Sequence, residues 1–260
     1  MSAKPRYTAE FVERGYNNRA AVPEHPRFLA EYAERSQAAV AALAPKLDLR
    51  YGPNTRETLD LFLPAGTPRG TFAFIHGGYW RALDKADFAF VAAPFVAQGY
   101  AAAVINYDLC PSVTIATIVD ECRRALLWLA REAPRHGAPA APPFVAGVTL
   151  SGVHDLGPLV LSTMNADLRL DEAEARRMSP VHYRSQTRAP LHVAVGAGET
   201  AEFLRQSQLI FDAWPDNRPA GMEQPRFIPD RNHFTVVLDY ADPASELTRA
   251  TLAGFAAPRA

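Results

Sequence analysis

The sequence predicts an α/β fold built on a doubly wound, mostly parallel sheet. Three observations carry this. Continuous apolar runs at 70–75 and 101–107 read as strands buried on both faces, as parallel sheets require. Such runs alternate with segments of helical periodicity, the pattern of repeated βα units. Several chemically distinctive residues, His76 to Trp80, Ser151, Glu199 and His233, fall just after a predicted strand. Sheets of this kind place their ligands at those strand ends.

The elements follow in order. Residues 1–25 read as an irregular arm. Residues 25–44 carry Phe28, Leu29, Tyr32, Ala33, Val40 and Leu43 at the spacing of one helix face. Residues 47–51 and 58–63 are strands around a Pro53-Asn54 turn and should pair as a hairpin. The strand at 70–75 runs into His-Gly-Gly-Tyr-Trp. A helix over 85–98 ends at Gly99, a plausible C′ glycine. After the strand at 101–107, a helix over 114–132 stripes Ile115, Ile118, Cys122, Ala125 and Leu129 along one face. Strands at 144–150, 191–195 and 226–228, and helices at 201–214 and 245–255, complete a single domain over 1–260.

Composition bounds the function. The 260 residues are 48% apolar and 21% charged, with a formal net charge of -1. That balance carries no electrostatic footprint for nucleic acid or an anionic membrane. Cys110 and Cys122 cannot make a disulfide framework and read as reduced core thiols. The first residues lack the apolar core of a secretory signal. The longest apolar stretch, 88–97, contains Pro94 and is well short of the roughly 20 residues a membrane span needs. A cytoplasmic location is the expectation. His136, His154, His182, His192 and His233 lack the close spacing of a zinc helix motif, so neither a metal nor another cofactor is expected. Asp108 and Asp155 follow strands and read first as turn residues.

The His76–Trp80 motif carries chemistry. Adjacent glycines at a strand end let the backbone approach a ligand and aim N–H groups at it. Such donors stabilise the oxyanion of acyl transfer, and His-Gly-Gly in this place is the arrangement of lipases and esterases. Gly77, Gly78 and Tyr79 are the candidate oxyanion-hole residues. A plain glycine turn is the competing reading.

Read with its neighbours, HGGYW resembles the kynurenine formamidase (arylformamidase) branch of the α/β-hydrolases. YTAEFVERGYNNRAAVP, YGPNTRETLDLFLP, NYDLCP, SGVHDLGPLV, EAEARRMSPVHY, AVGAGETAEFLRQSQ and NHFTVV are similar to that family as well. The likeness spans about residues 7 to 256. It implies an α/β-hydrolase-type sheet with an N-terminal hairpin. The implied chemistry is serine hydrolysis of a small aromatic amide or ester, with N-formylkynurenine as the kynurenine-pathway reference substrate. A homodimer is left open. The catalytic histidine maps onto His233 and its acid onto Glu199, with Glu202 as a nearby competitor. A carboxylate behind an imidazole fixes its tautomer and stabilises the imidazolium.

One component is missing from the sequence. A nucleophile elbow reads G-x-S-x-G, and no serine here has glycine two before and two after it. The nearest match, Gly147 to Ser151, puts Thr149 in the serine's place. The family runs from a helix ending RHG into a strand, the serine elbow and a helix. Here Arg135-His136-Gly137 passes through APAAPP into the strand at 144–150. By this resemblance one central βα unit is absent. Its loss would make the strands at 70–75 and 144–150 neighbours, or leave one unfilled strand width between them. The leading expectation is therefore a hydrolase by descent with impaired activity. Ser151 as a substitute nucleophile, and a non-enzymatic aromatic-ligand or partner-binding protein, are the alternatives.

Overall fold

The computed structural model describes residues 7–140 and 146–256. Its strands are β1 (Lys46–Arg50), β2 (Thr58–Phe62), β3 (Thr71–Ile75), β4 (Ala101–Ile105), β5 (Gly147–Leu150), β6 (Leu191–Gly196) and β7 (Arg226–Ile228). Its helices are α1 (Ala9–Tyr16), α2 (Asn18–Ala21), α3 (His25–Leu43), α4 (Ala93–Ala97) and α5 (Ile115–Arg131). They continue with α6 (Asn165–Leu168), α7 (Glu172–Arg177), α8 (Ala201–Ala213) and α9 (Glu246–Ala256). The chain packs as two compact units, Met1–His25 with Ala146–Val236, and Pro26–Val145 with Val237–Ala260.

The second unit holds a four-stranded sheet of order β1-β2-β4-β3. The expected hairpin forms, with Leu49 opposite Leu59. β2 pairs antiparallel with β4, and β4 pairs parallel with β3. β2 and β4 are buried along their whole length. Leu59, Leu61, Ala103 and Ile105 pack with Ala125 and Leu129 of α5. Thr114 starts α5 by accepting the Thr117 N–H at 3.2 Å. Rings of Phe72, Phe95, Tyr240 and Phe255 form an aromatic cluster in the same unit, with Phe72 stacked on Phe95 at 3.8 Å.

The first unit holds a three-stranded, all-parallel sheet of order β5-β6-β7. α1 docks on α8 through Tyr16 and Phe203, whose centroids are 6.1 Å apart. Beneath them lies a polar lattice. Tyr16 Oη donates to Glu202 at 2.8 Å and accepts from Gln206 Nε2 at 2.7 Å. Gln206 Oε1 takes the amides of His154 and Asp155, both at 2.8 Å. Each polar atom in this lattice finds a partner, as burial demands.

β3 and β5 are thus edge strands of different sheets among the described residues. Their covering is thin for parallel strands. Ile75 is 42% exposed, and every residue of β5 is only half-buried.

Three readings need correction. The arm at 1–25 contains α1 and α2, capped by Thr8 and Asn17. The helix expected over 85–98 is two 3-10 turns, Lys85–Asp87 and Ala89–Ala92, followed by α4. Pro94 has no N–H to continue a helix, so it opens a new one instead. α6 and α7, too short for periodicity to reveal, lie between β5 and β6. Residues 144 and 145 of the strand read at 144–150 lie outside the described residues.

Candidate active site

β6 ends at Gly196, and the chain turns through Ala197 and Gly198 to Glu199, just before α8. The segment after β7 docks on this turn. Gly198 N–H donates to Arg231 O at 2.9 Å, and Ala197 N–H to Ile228 O at 2.8 Å. Gly196 has to be glycine here, because a Cβ would lie 2.4 Å from Arg231 O. This docking brings His233 to Glu199. Nδ1 of His233 lies 2.7 Å from Glu199 Oε2. A carboxylate accepts only, so Nδ1 carries the proton, which leaves Nε2 as the basic nitrogen of the neutral ring. The Glu199 side chain is fully buried and the His233 side chain 26% exposed. Phe203 packs on the imidazole at 4.6 Å. Among the described residues no hydroxyl or thiol is hydrogen-bonded to Nε2.

Glu202, the competing carboxylate, is engaged elsewhere. Its carboxylate is held by Tyr16 and by both Nε and Nη2 of Arg205. Ser151 is not placed as a nucleophile. Its Oγ donates to Glu199 Oε1 in a short contact, on the acid's far oxygen from the imidazole. Thr149, the residue in the serine's place of the nearest elbow match, sits within β5 with Oγ1 3.2 Å from His154 Nε2. Asp155 caps its own turn through the Gly157 amide at 3.0 Å. Asp108 donates its amide to Glu121 at 2.8 Å.

In the other unit the chain leaves β3 through His76, Gly77 and Gly78. Three consecutive residues then have positive φ: Gly78 at 117°, Tyr79 at 52° and Trp80 at 56°. Left-handed backbone disfavours a non-glycine residue by roughly 1–2 kcal/mol, so Tyr79 and Trp80 hold strain that their surroundings must impose. Strain of this kind gathers at functional sites. Arg81 N–H closes the turn on Gly78 O at 3.1 Å, and Cys110 N–H donates to Trp80 O at 2.8 Å. A Cβ on Gly78 would meet Ala82 O at 2.1 Å, whereas one on Gly77 would meet nothing within 4 Å. The amides of Gly77 and Gly78 donate no hydrogen bond among the described residues.

A clamp that sequence reasoning missed supports this loop. Arg56 donates to Tyr107 O at 2.8 Å, Leu83 O at 2.9 Å and Asn106 Oδ1 at 3.0 Å, and it pairs with Asp84 at 3.0 Å. His76 stacks on Tyr107 at 4.3 Å, with Nδ1 2.7 Å from Gly77 O and Nε2 3.1 Å from Asn106 Oδ1. Burial pushes its pKa down, against those two acceptors. Among the described residues, no group of three or more His, Cys, Asp or Glu side chains is placed to hold a metal. No described helix is long and apolar enough to cross a membrane.

The strand orders of the two sheets are those of an α/β-hydrolase-type protein. Comparison with known proteins agrees. The BD-FAE family matches residues 59–154. Kynurenine formamidase of Salmo salar is 24% identical over 89% of this chain and 88% of its own. That of Danio rerio is 25% identical over 95% and 90%. A provisionally assigned thioesterase of known structure from Silicibacter sp. TM1040 is 30% identical, with a TM-score of 0.78 over 90% of this chain and 96% of its own. The chain belongs to the kynurenine-formamidase-like branch of the α/β-hydrolases.

Proposed function

We propose that this chain is an arylformamidase-like serine hydrolase by descent that has lost its serine elbow. Hydrolysis of small aryl formamides or esters, with N-formylkynurenine as the reference substrate, is then weak or absent. The observation that carries this reading is the Glu199–His233 pair, assembled at 2.7 Å with no hydroxyl hydrogen-bonded to Nε2 among the described residues. In a working triad Nε2 takes the serine proton while backbone amides hold the oxyanion. Here Glu199 fixes the His233 tautomer, and the amides of Gly77 and Gly78 are the candidate donors. Among the described residues no side-chain oxygen is hydrogen-bonded to the base for it to activate.

Three further points support the loss. The sequence contains no G-x-S-x-G. The strands that flank the missing unit by family resemblance, β3 and β5, are both edge strands among the described residues, as β1 and β7 are at the other edges. The Salmo salar alignment runs 262 positions but uses about 231 residues of this chain, 89% of 260, leaving about 31 positions filled by the relative alone. A strand and a helix of ordinary length with their connections take roughly 20–30 residues.

The test is turnover of N-formylkynurenine and of a chromogenic aryl ester. Expected is only the residual acceleration of about 10³–10⁴ over water that binding and an oxyanion hole leave without a nucleophile. Turnover at ordinary enzyme rates that His233→Ala abolishes would overturn the reading.

A further inference from the structure

Ser151 is the first residue after β5, and its backbone is left-handed, with φ at 51°. Glycine adopts that conformation freely and serine does not. Gly152 follows directly, so the chain has a glycine within one residue yet keeps serine at the strained position. The side chain supplies a reason. Ser151 is buried, and its Oγ donates to Glu199 Oε1. The same oxygen accepts the Gly196 N–H at 2.8 Å, while Oε2 meets His233 Nδ1. The carboxylate therefore collects three donors, from the ends of β5 and β6 and from the segment after β7.

The terminal torsion of glutamate is broad and only weakly self-restrained. A single amide on Oε1 leaves the carboxylate plane free to swing. A second donor from another strand fixes it. We infer that Ser151 is a positioning residue, which holds the Glu199 carboxylate in the plane where it meets His233 and so secures the proton on Nδ1. The inference rests on the acid–histidine reading proposed above and assigns Ser151 neither nucleophile nor mere turn former. It also accounts for the serine that the left-handed backbone alone would replace by glycine.

The experiment follows the His233 Nδ1–H resonance by NMR in the ¹⁵N-labelled full chain, assigned with His233→Gln. Ser151→Gly removes the hydroxyl and relieves the backbone, whereas Ser151→Ala removes the hydroxyl and keeps the Cβ. Both should speed solvent exchange of Nδ1–H by about tenfold or more, the worth of one hydrogen bond to a charged group. Ser151→Gly should unfold at or above the denaturant midpoint of Ser151→Ala. The amides of β6 should keep their wild-type exchange, which separates local release from global opening. Unchanged Nδ1–H exchange in Ser151→Gly overturns the proposal, and so does an equal acceleration of the β6 amides. A wild-type resonance that is absent, or indifferent to Glu199→Gln, removes the acid–histidine pair itself and the proposal with it.

Discussion

After β6 the chain turns through Gly196 and Gly198 and delivers a carboxylate. After β3 it turns through Gly77 and Gly78 and delivers two aromatic residues. At the first corner the glycines admit a neighbouring backbone, and the geometry is held by hydrogen bonds converging on the buried Glu199. At the second the backbone itself is strained, and Arg56 holds it from outside by gripping carbonyls. One corner is fixed by charge and the other by shape. The difference teaches which perturbations each will tolerate: loss of an acceptor should break the first, and loss of space should break the second.

The largest effect is expected where shape decides. Gly78→Ala would put a methyl 2.1 Å from Ala82 O on a residue whose φ is 117°. Backbone cannot yield as a flexible side chain can, so destabilisation should exceed about 4 kcal/mol, the range of severe single substitutions. Urea unfolding monitored by tryptophan fluorescence measures it. Wild-type stability would mean that the turn relaxes easily and that strain does not define this corner.

Next comes the corner fixed by charge. Glu199→Ala strands the Ser151 hydroxyl, the Gly196 amide and the His233 Nδ1–H without their acceptor. A buried donor left unsatisfied costs about 1–3 kcal/mol, so a loss of about 3 kcal/mol is expected in the same assay. Glu199→Gln keeps an oxygen acceptor and should lose less. Equal losses for the two substitutions would show that side-chain volume, not acceptance, holds the corner.

Acid should weaken the first unit through His154. Burial pushes His154 down to about 4, and its hydrogen-bond partner Thr149 does little to favour the charge. His76 is also pushed down by burial, but Gly77 O and Asn106 Oδ1 oppose the shift. A histidine depressed in the folded state contributes stability that is complete above its unfolded value near 6.5. That stability is lost as pH falls towards the folded value, because the unfolded chain binds the proton first. For His154 the loss between pH 6.5 and 4 is at most about 3 kcal/mol. Unfolding midpoints over that window should slope downward with falling pH, and His154→Gln should flatten the slope. A slope untouched by His154→Gln would show that His154 does not carry the acid sensitivity.

The strands were legible because burial on both faces leaves an unbroken apolar run, as in Phe72 to Ile75 and Ala101 to Ile105. Glu199 and His233 stood out through the family motifs they lie in, AVGAGETAEF and NHFTVV, which resemblance pairs as acid and histidine, and the two side chains meet at 2.7 Å. What stayed hidden depends on distance along the chain. Arg56 reaches Tyr107 51 residues away, and Ser151 reaches Glu199 48 residues away. No local spacing announces either contact. The caps of α1 and α2 were written in Thr8 and Asn17, but helices of eight and four residues carry too few turns for a stripe. The 85–98 segment misled because its apolar content suggested one helix, while Pro94 already marked the break.

The smallest effect on folding, and the sharpest contrast with Gly78, is expected at Gly77. It is exposed, has no positive φ, and a Cβ there meets nothing within 4 Å. Gly77→Ala should therefore leave the fold intact and even stabilise it by about 0.5 kcal/mol, since alanine restricts the unfolded chain. The Gly77 amide, which donates no hydrogen bond among the described residues, is the group a ligand oxygen would have to approach if Gly77 is an oxyanion-side donor. A methyl on the same residue obstructs the approach, and loss of one hydrogen bond corresponds to about fivefold in affinity. Titration of N-formylkynurenine against wild type and Gly77→Ala, read by thermal shift or fluorescence, decides the matter. Weaker binding in a variant of undiminished stability supports Gly77 as an oxyanion-side donor. Equal binding would make the open space at Gly77 a plain glycine turn, and the loop's strain would need another explanation.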